Sequence, residues 1–321
     1  MMSRNDFKEK QIVFVNLRDG QKLAFKNENL IVKDSNDKII LQTSCYQLFS
    51  LFIIGNISIT SVLLHKSQKY CFSIVLMSYS FRHMLSINNG LLGNTLLHKK
   101  QYDYISLEIG KHIILNKIKN QRTTLNLIRS KSEFLKQGIS NIDSYIDVFQ
   151  TSNISDLNSI MSIEAVVAKQ YFKCLFEHYN WKGRKPRVKL DYINVILDIG
   201  YTLLFHYIEA VLSLFDFDLY VGVFHREFYK RKSLVCDLIE PFRYIIDEQV
   251  LKSLNLKQFN EKDFGCSKGV YYLKYEKNKV YINVFIRCIS DNKMLIFQYI
   301  QSYYRSFMKG LSVENFPVIK R

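Results

Sequence analysis

Over its first ninety residues the chain alternates short apolar runs with turn signals. QIVFVNL is followed by Asp19-Gly20, then by KLAF, ENLIVK, an Asn36-Asp37 turn and KIILQT. β-Branched and aromatic residues dominate each run, so the pattern predicts short strands. LFSLFII continues it as far as Gly55-Asn56, ITSVLLHKSQKY has helical apolar spacing at Ile59, Val62 and Leu63, and CFSIVLM reads as a last strand. From roughly Leu91 onward the period lengthens to about 3.6 residues, with few glycines and almost no proline. The expected class is α+β, with an N-terminal β-rich, sandwich-like domain over 1–89 and a larger, mainly α-helical domain over 90–321.

Within the helical part, residues 158–179, NSIMSIEAVVAKQYFKCLFEHY, form an amphipathic pattern with Ile160, Ile163, Val167, Tyr171 and Leu175 on one side. Gly183 and Pro186 break it in the loop WKGRKPRVK, after which residues 190–215 predict a long, mostly buried helix. Residues 269–287, GVYYLKYEKNKVYINVFIR, read by period as a hairpin, with a helix open for the second arm. The uncharged stretch from Ile39 to Leu64 contains Gln42, Gln47 and Asn56 and a turn signal in its middle. A buried strand, a turn and a helix therefore account for it better than a membrane span, and no membrane association is expected.

Charge changes the picture. The 321 residues include 45 Lys and Arg against 29 Asp and Glu, a formal net charge of +16. An anionic partner follows, and nucleic acid fits it better than a small acidic metabolite. The alternative is a compositional bias toward Lys, Asn and Ile. Six scattered cysteines, with no CxxC pair, argue for reduced thiols in a cytoplasmic protein and against zinc. No signal peptide is visible after MMSRNDFKEK. GxGxxG, Walker, GxSxG and HExxH patterns are absent, which leaves nucleotide hydrolysis and serine or zincin proteolysis without support.

Candidate chemistry concentrates in HREFYKRKSLVCDLIEPFR, residues 225–243. Asp237 and Glu240, three apart, share one face of a helix and can approach a common ion. Ser233 is a candidate N-cap, and Pro241 should kink the helix just past Glu240. On one continuous helix His225 would lie roughly 22 Å from Glu240, so joint action requires residues 226–232 to fold His225 back. Glu164, in the middle of SIEAVVAKQYF, is a third available acid. Two or three carboxylates with one imidazole make a hard, mixed site suited to Mg²⁺ or Mn²⁺, and in a basic protein such a site points to phosphodiester chemistry. A salt-bridged surface hairpin is the competing reading of 225–243. His206 reads as a satisfied core group, and His65, His83, His98, His112 and His178 have no acid or cysteine spacing to lift them.

Four ordered blocks resemble the CRISPR-associated spacer-acquisition integrases. Glu164 with Ala168, Tyr171 and Phe172 resembles that family's glutamate helix, and Arg184 and Pro186 the loop after it. Asn194, Leu197, Gly200, Tyr201 and Leu204 resemble the next helix. Gly222 and His225, then Ser233-Leu234-Val235, Asp237-Leu238, Glu240, Phe242 and Arg243, resemble the most specific block. The blocks span about 80 residues. The stretch LQTSCYQLFSLFIIGNISIT is also similar to members encoded beside single-protein effector nucleases.

The resemblance implies a divalent metal held by Glu164, His225 and Glu240, with Asp237 supporting the same site. It further implies a DNA integrase and endonuclease that joins the 3′-hydroxyl ends of captured DNA to a CRISPR repeat by transesterification. Arg184, Lys185, Arg187 and Arg243 would face DNA, and a homodimer bridged by a second small CRISPR-associated protein is expected. A structure-specific repair nuclease and a non-catalytic DNA-binding subunit are the alternatives.

Overall fold

A computed structural model describes every residue except 1, 18–19, 56, 91, 152–153, 155, 180, 187 and 226–228. A short helix, α1 (Arg4–Lys8), is closed by a capping box between Ser3 and Asp6 and leads into β1 (Gln11–Asn16). Three strands, β2 (Lys22–Lys26), β3 (Asn29–Lys33) and β4 (Ile39–Ser44), then form an antiparallel meander. β5 (Leu48–Ile54), α2 (Ser61–Tyr70), β6 (Ser73–Met77) and β7 (His83–Ile87) complete the β-rich region. Among the described residues one sheet has the order β1-β5-β6-β7, with β5 parallel to both neighbours and β7 antiparallel at the edge. The crossover that the parallel β5–β6 pair demands is supplied by α2.

β5 is buried at all seven positions, as expected for a central strand covered on both faces. Its pairing with β1 slips by one residue: Gln11 lies opposite Leu48, but Ile12 lies opposite Ser50. Phe49 is the extra residue of this bulge and turns to the face that plain alternation would deny it. Leu48, Leu51 and Ile53 join Val13, Leu30 and Ile74 in a core shared by both sheets and α2. Phe49, Phe52 and Ile54 face the other way and merge into the core of the helical region.

That region contains α3 (Thr95–Asp103), α4 (Glu108–Asn126), α5 (Glu133–Thr151), α6 (Leu157–Leu175) and α7 (Tyr192–Ser213). After α8 (Ser233–Ile239), a 3₁₀ turn over Glu240–Phe242 leads into α9 (Arg243–Asn255). The hairpin β8 (Phe264–Ser267) and β9 (Val270–Leu273) precedes α10 (Asn278–Asp291) and α11 (Lys293–Lys309). α7 is the one helix among the described residues long and apolar enough to cross a bilayer, yet 83% of that stretch is buried, because it is the central helix of the core.

The α+β class and the predicted strands up to β6 agree with this architecture, and the stretch from Ile39 to Leu64 resolves into β4, β5 and α2. Three expectations change. β7 is an additional edge strand, with Met84 and Leu85 exposed. In α2, Leu63 is buried but Val62 points to solvent. The hairpin expected over 269–287 is displaced to 264–273, and its expected second arm is α10, whose buried Tyr281, Ile282, Phe285 and Ile289 follow helical spacing.

Gly200 lets α7 approach α9 and α10: a Cβ there would lie 2.5 Å from Ile246 Cγ2 and 2.8 Å from Phe285 Cε1. Gly200→Ala should destabilise the fold by about 1–3 kcal/mol through overpacking, read as a lower denaturation midpoint at unchanged m-value.

Candidate active site

α4 carries a cation inside its apolar stripe. Ile113, Lys117, Gln121 and Leu125 recur every fourth residue, and all four are buried. A buried ammonium requires anionic partners, and two helices supply them: α6 offers Glu164 near its midpoint, and Glu240 opens the 3₁₀ turn. Pro241 removes an amide there, so the helix expected to kink after Glu240 tightens into a 3₁₀ turn before resuming as α9.

Lys117 Nζ contacts Glu164 Oε1 and lies 2.6 Å from Glu240 Oε2. Arg243 Nε donates to the same Glu240 oxygen at 2.8 Å. Burial alone would raise the Glu240 pKa, but the charges of Arg243 and Lys117 override it and hold this carboxyl well below the usual carboxylate range. Burial likewise opposes the charge on Lys117, and Glu240 and Glu164 reverse that effect, so the ammonium stays protonated.

His225 is held separately. Asp237, fully buried on α8, accepts from the backbone N–H groups of Val223 (2.6 Å), Phe224 (3.1 Å) and His225 (2.8 Å), and from the His225 ring through Nδ1 at 2.6 Å. His225 is thus brought to α8 through Asp237, and not to Glu240, the partner for which the sequence required residues 226–232 to fold back; residues 226–228 lie outside the described residues. Gly222 permits the wrap, since a Cβ there would sit 2.6 Å from Asp237 Oδ2. The carboxylate fixes Nδ1 as the protonated nitrogen and leaves the lone pair on Nε2.

Two expectations from the sequence are corrected here. Ser233 is the first helical residue rather than the N-cap, which is Lys232. Asp237 does not turn toward a point shared with Glu240; its oxygens are spent on the 222–225 turn. Among the described residues no three His, Cys, Asp or Glu side chains converge as a metal-holding group. Glu164 and Glu240 are brought together about Lys117, and His225 is brought to Asp237.

Glu164, Lys117, Glu240 and Arg243 line a cavity of about 1270 Å³. Its wall includes Arg82, Arg184 and Lys189, and Tyr79, Tyr272 and Tyr275 add aromatic surface. Arg184 is not a solvated loop side chain: it donates to Asn194 Oδ1 (3.0 Å) and Asp198 Oδ1 (2.7 Å). Arg184 and Arg243 both stack on the Tyr201 ring, at 5.4 and 4.7 Å from its centroid. The Tyr201 hydroxyl donates to Asp247, which also accepts from Tyr171 at 3.0 Å; burial lifts the Asp247 carboxyl to about 6 despite both bonds. Lys185 is exposed, with its backbone N–H donating to Asn194 Oδ1 at 3.0 Å, and Arg187 lies outside the described residues.

Sequence reasoning missed Lys117 and a second polar cluster. His206 is satisfied, as expected of a core histidine, by Glu209 at 2.8 Å, but it also lines the cavity and stacks on His83 with ring centroids 4.1 Å apart. Lys232 closes this cluster on Glu209 at 2.7 Å. A cation within an apolar stripe was the available signal for Lys117. Nothing in the spacing of His83 announced its pairing with His206.

Fold and site together define a class of protein with a two-sheet β region joined to a helical body that bears a basic cleft around an acidic pair. A family model described as CRISPR associated protein Cas1 matches residues 14–287, and the chain belongs to that family. It is 30% identical over 244 residues to the CRISPR-associated endonuclease Cas1 1 of Thermodesulfovibrio yellowstonii, covering 71% of this chain and 76% of that protein. Its fold is similar to the chain of a Cas6-RT-Cas1–Cas2 complex (TM-score 0.79, 22% identity, 97% of this chain and 36% of that one). It is also similar to a casposase bound to integration product (TM-score 0.78, 18% identity, 97% of this chain and 94% of that one).

Asp237→Asn should lower stability by about 3 kcal/mol or more, because one carboxylate satisfies four donors; urea denaturation measures this. Burial, then the charges of His206 and Lys232, depress His83 to about 4. A histidine depressed in the folded state costs stability as pH falls below its unfolded value of about 6.5, down to the folded value near 4. His83→Asn should flatten the loss of melting temperature across that window.

Proposed function

We propose that this chain is a divalent-metal-dependent DNA integrase and endonuclease of CRISPR adaptation. One observation carries the reading: two carboxylates from separate helices are gathered on a single cation in the wall of a large basic cavity. Membership of the Cas1 family and the fold shared with a casposase bound to integration product support it.

The donor chemistry fits a hard divalent ion. Glu164 and Glu240 already share a cation, and His225, its Nδ1 engaged by Asp237, keeps Nε2 as a donor. Mg²⁺ or Mn²⁺ held by Glu164, His225 and Glu240 would neutralise phosphate charge and stabilise the reacting oxygen. His225 pairs with Asp237 and not with the glutamates, so it would reach the ion through Nε2 alone. Arg243 and Arg184 would neutralise the phosphodiester under attack, with Lys185 and Arg187 along the approach. In joining, the 3′-hydroxyl of a captured fragment attacks the phosphodiester at the repeat edge, and one ester forms as one breaks. With water as the nucleophile the same groups would cut.

The partners we propose are captured and repeat DNA, a second copy of the chain, and a small CRISPR-associated protein. The net charge of +16 supports the first, and the fold shared with a Cas6-RT-Cas1–Cas2 complex supports the last. Six free cysteines suit a cytoplasmic setting.

His225→Ala and Glu240→Ala should each reduce metal-dependent strand joining on repeat-containing DNA by roughly a hundredfold or more, while DNA affinity stays within a few-fold. Full activity in either variant would overturn the assignment. Cutting without joining in the unaltered protein would favour a repair-type nuclease, and binding with neither would favour a non-catalytic subunit.

A further inference from the structure

The cation that gathers Glu164 and Glu240 is a side chain of the protein itself. A divalent ion on the same two carboxylates would put four positive charges, its own two with those of Lys117 and Arg243, against two negative ones. Like charges a few ångströms apart repel strongly away from bulk water. One cation has to leave. Arg243 is fixed by its stacking on Tyr201 and its bond to Glu240, whereas Lys117 ends in a compact ammonium on a flexible four-carbon stem.

Its destination is visible in the structure. Gln121 stands one turn further along α4, a spacing that makes the two side chains neighbours. It is only 3% exposed and lines the cavity, and its carbonyl oxygen, Oε1, has no hydrogen-bond partner among the described residues. Buried acceptors without partners are rare in native structures.

We propose that Lys117 and the divalent ion compete for Glu164 and Glu240, and that the displaced ammonium swings toward Gln121 Oε1 and into the cavity. Lys117 thus acts as an exchangeable counter-cation. Loading the metal delivers a further positive charge to the wall that faces phosphate. This inference rests on the metal site proposed above. It predicts an antagonism between a resident side chain and the incoming ion, which a permanent structural ion pair would not produce.

The test measures Mn²⁺ binding by titration calorimetry in the full-length protein, alongside its melting temperature with and without Mn²⁺. Lys117→Met should bind Mn²⁺ about tenfold more tightly and show a larger Mn²⁺-dependent rise in melting temperature than the unaltered protein. Lys117→Arg, which keeps the charge, should bind no more tightly. Because Lys117→Met can fail to fold, a second measurement uses the unaltered protein: labelling of Lys117 by an amine-reactive reagent, read by mass spectrometry, should increase as Mg²⁺ is added. Unchanged or weaker Mn²⁺ binding in a folded Lys117→Met, or unchanged Lys117 labelling, overturns the exchange if Glu240→Gln still abolishes Mn²⁺ binding. Undiminished binding in Glu240→Gln overturns the site assignment itself, and the exchange with it.

Discussion

A buried ammonium must be answered by carboxylates, and Lys117 is the charge on which three elements of the helical body converge. Its answer comes from α6 and from the 3₁₀ turn before α9, so three elements distant in sequence are fastened at one point. Taking Lys117 and Glu240 out of water costs several kcal/mol per ion before their mutual attraction is counted. A hydrophobic substitute of similar shape could hold the helices equally well. Such a cluster is therefore a poor device for stability alone, and its position in the wall of a cavity accords with a role in chemistry.

Asp237 plays a comparable part on a smaller scale. Its carboxylate replaces a missing stretch of secondary structure, collecting three consecutive backbone N–H groups and an imidazole that would otherwise lack partners. The 222–225 turn is thus specified by a side chain twelve or more residues downstream. In the β region, the bulge at Phe49 divides β5 between two cores, and through Phe49, Phe52 and Ile54 the β region and the helices share a single packed interior.

What could be read from the sequence was whatever depends on short-range pattern. The strand runs up to β6 and the long apolar α7 were legible because alternation and helical period are local. The second arm of the hairpin read over 269–287, for which a helix was left open, looked strand-like because residues such as Val280, Tyr281, Ile282 and Val284 favour strands locally, but it is α10. Burial of Tyr281, Ile282, Phe285 and Ile289 along one helical face overrides that preference. The site was only partly legible. Glu164 looks like any helical glutamate until Lys117 is placed beside it, and that pairing spans 47 residues. Arg184 read as a loop cation because its partners, Asn194 and Asp198, belong to the following helix. The partners of Asp237 are mostly amides, which no residue type announces.

Tyr201 has an acid–base consequence. Burial first, and then the neighbouring Asp247, push its phenol well above the ordinary value of 10, so the ring under Arg184 and Arg243 stays neutral wherever the protein is folded. No phenolate forms to titrate the two guanidiniums from beneath, and arginine itself does not deprotonate. Along this wall the charge of the two guanidiniums is consequently independent of acidity, and the group behind them that responds near neutrality is the Asp247 carboxyl, lifted to about 6. Ionic strength acts on the guanidiniums themselves, because dissolved salt can screen charges that protons cannot remove.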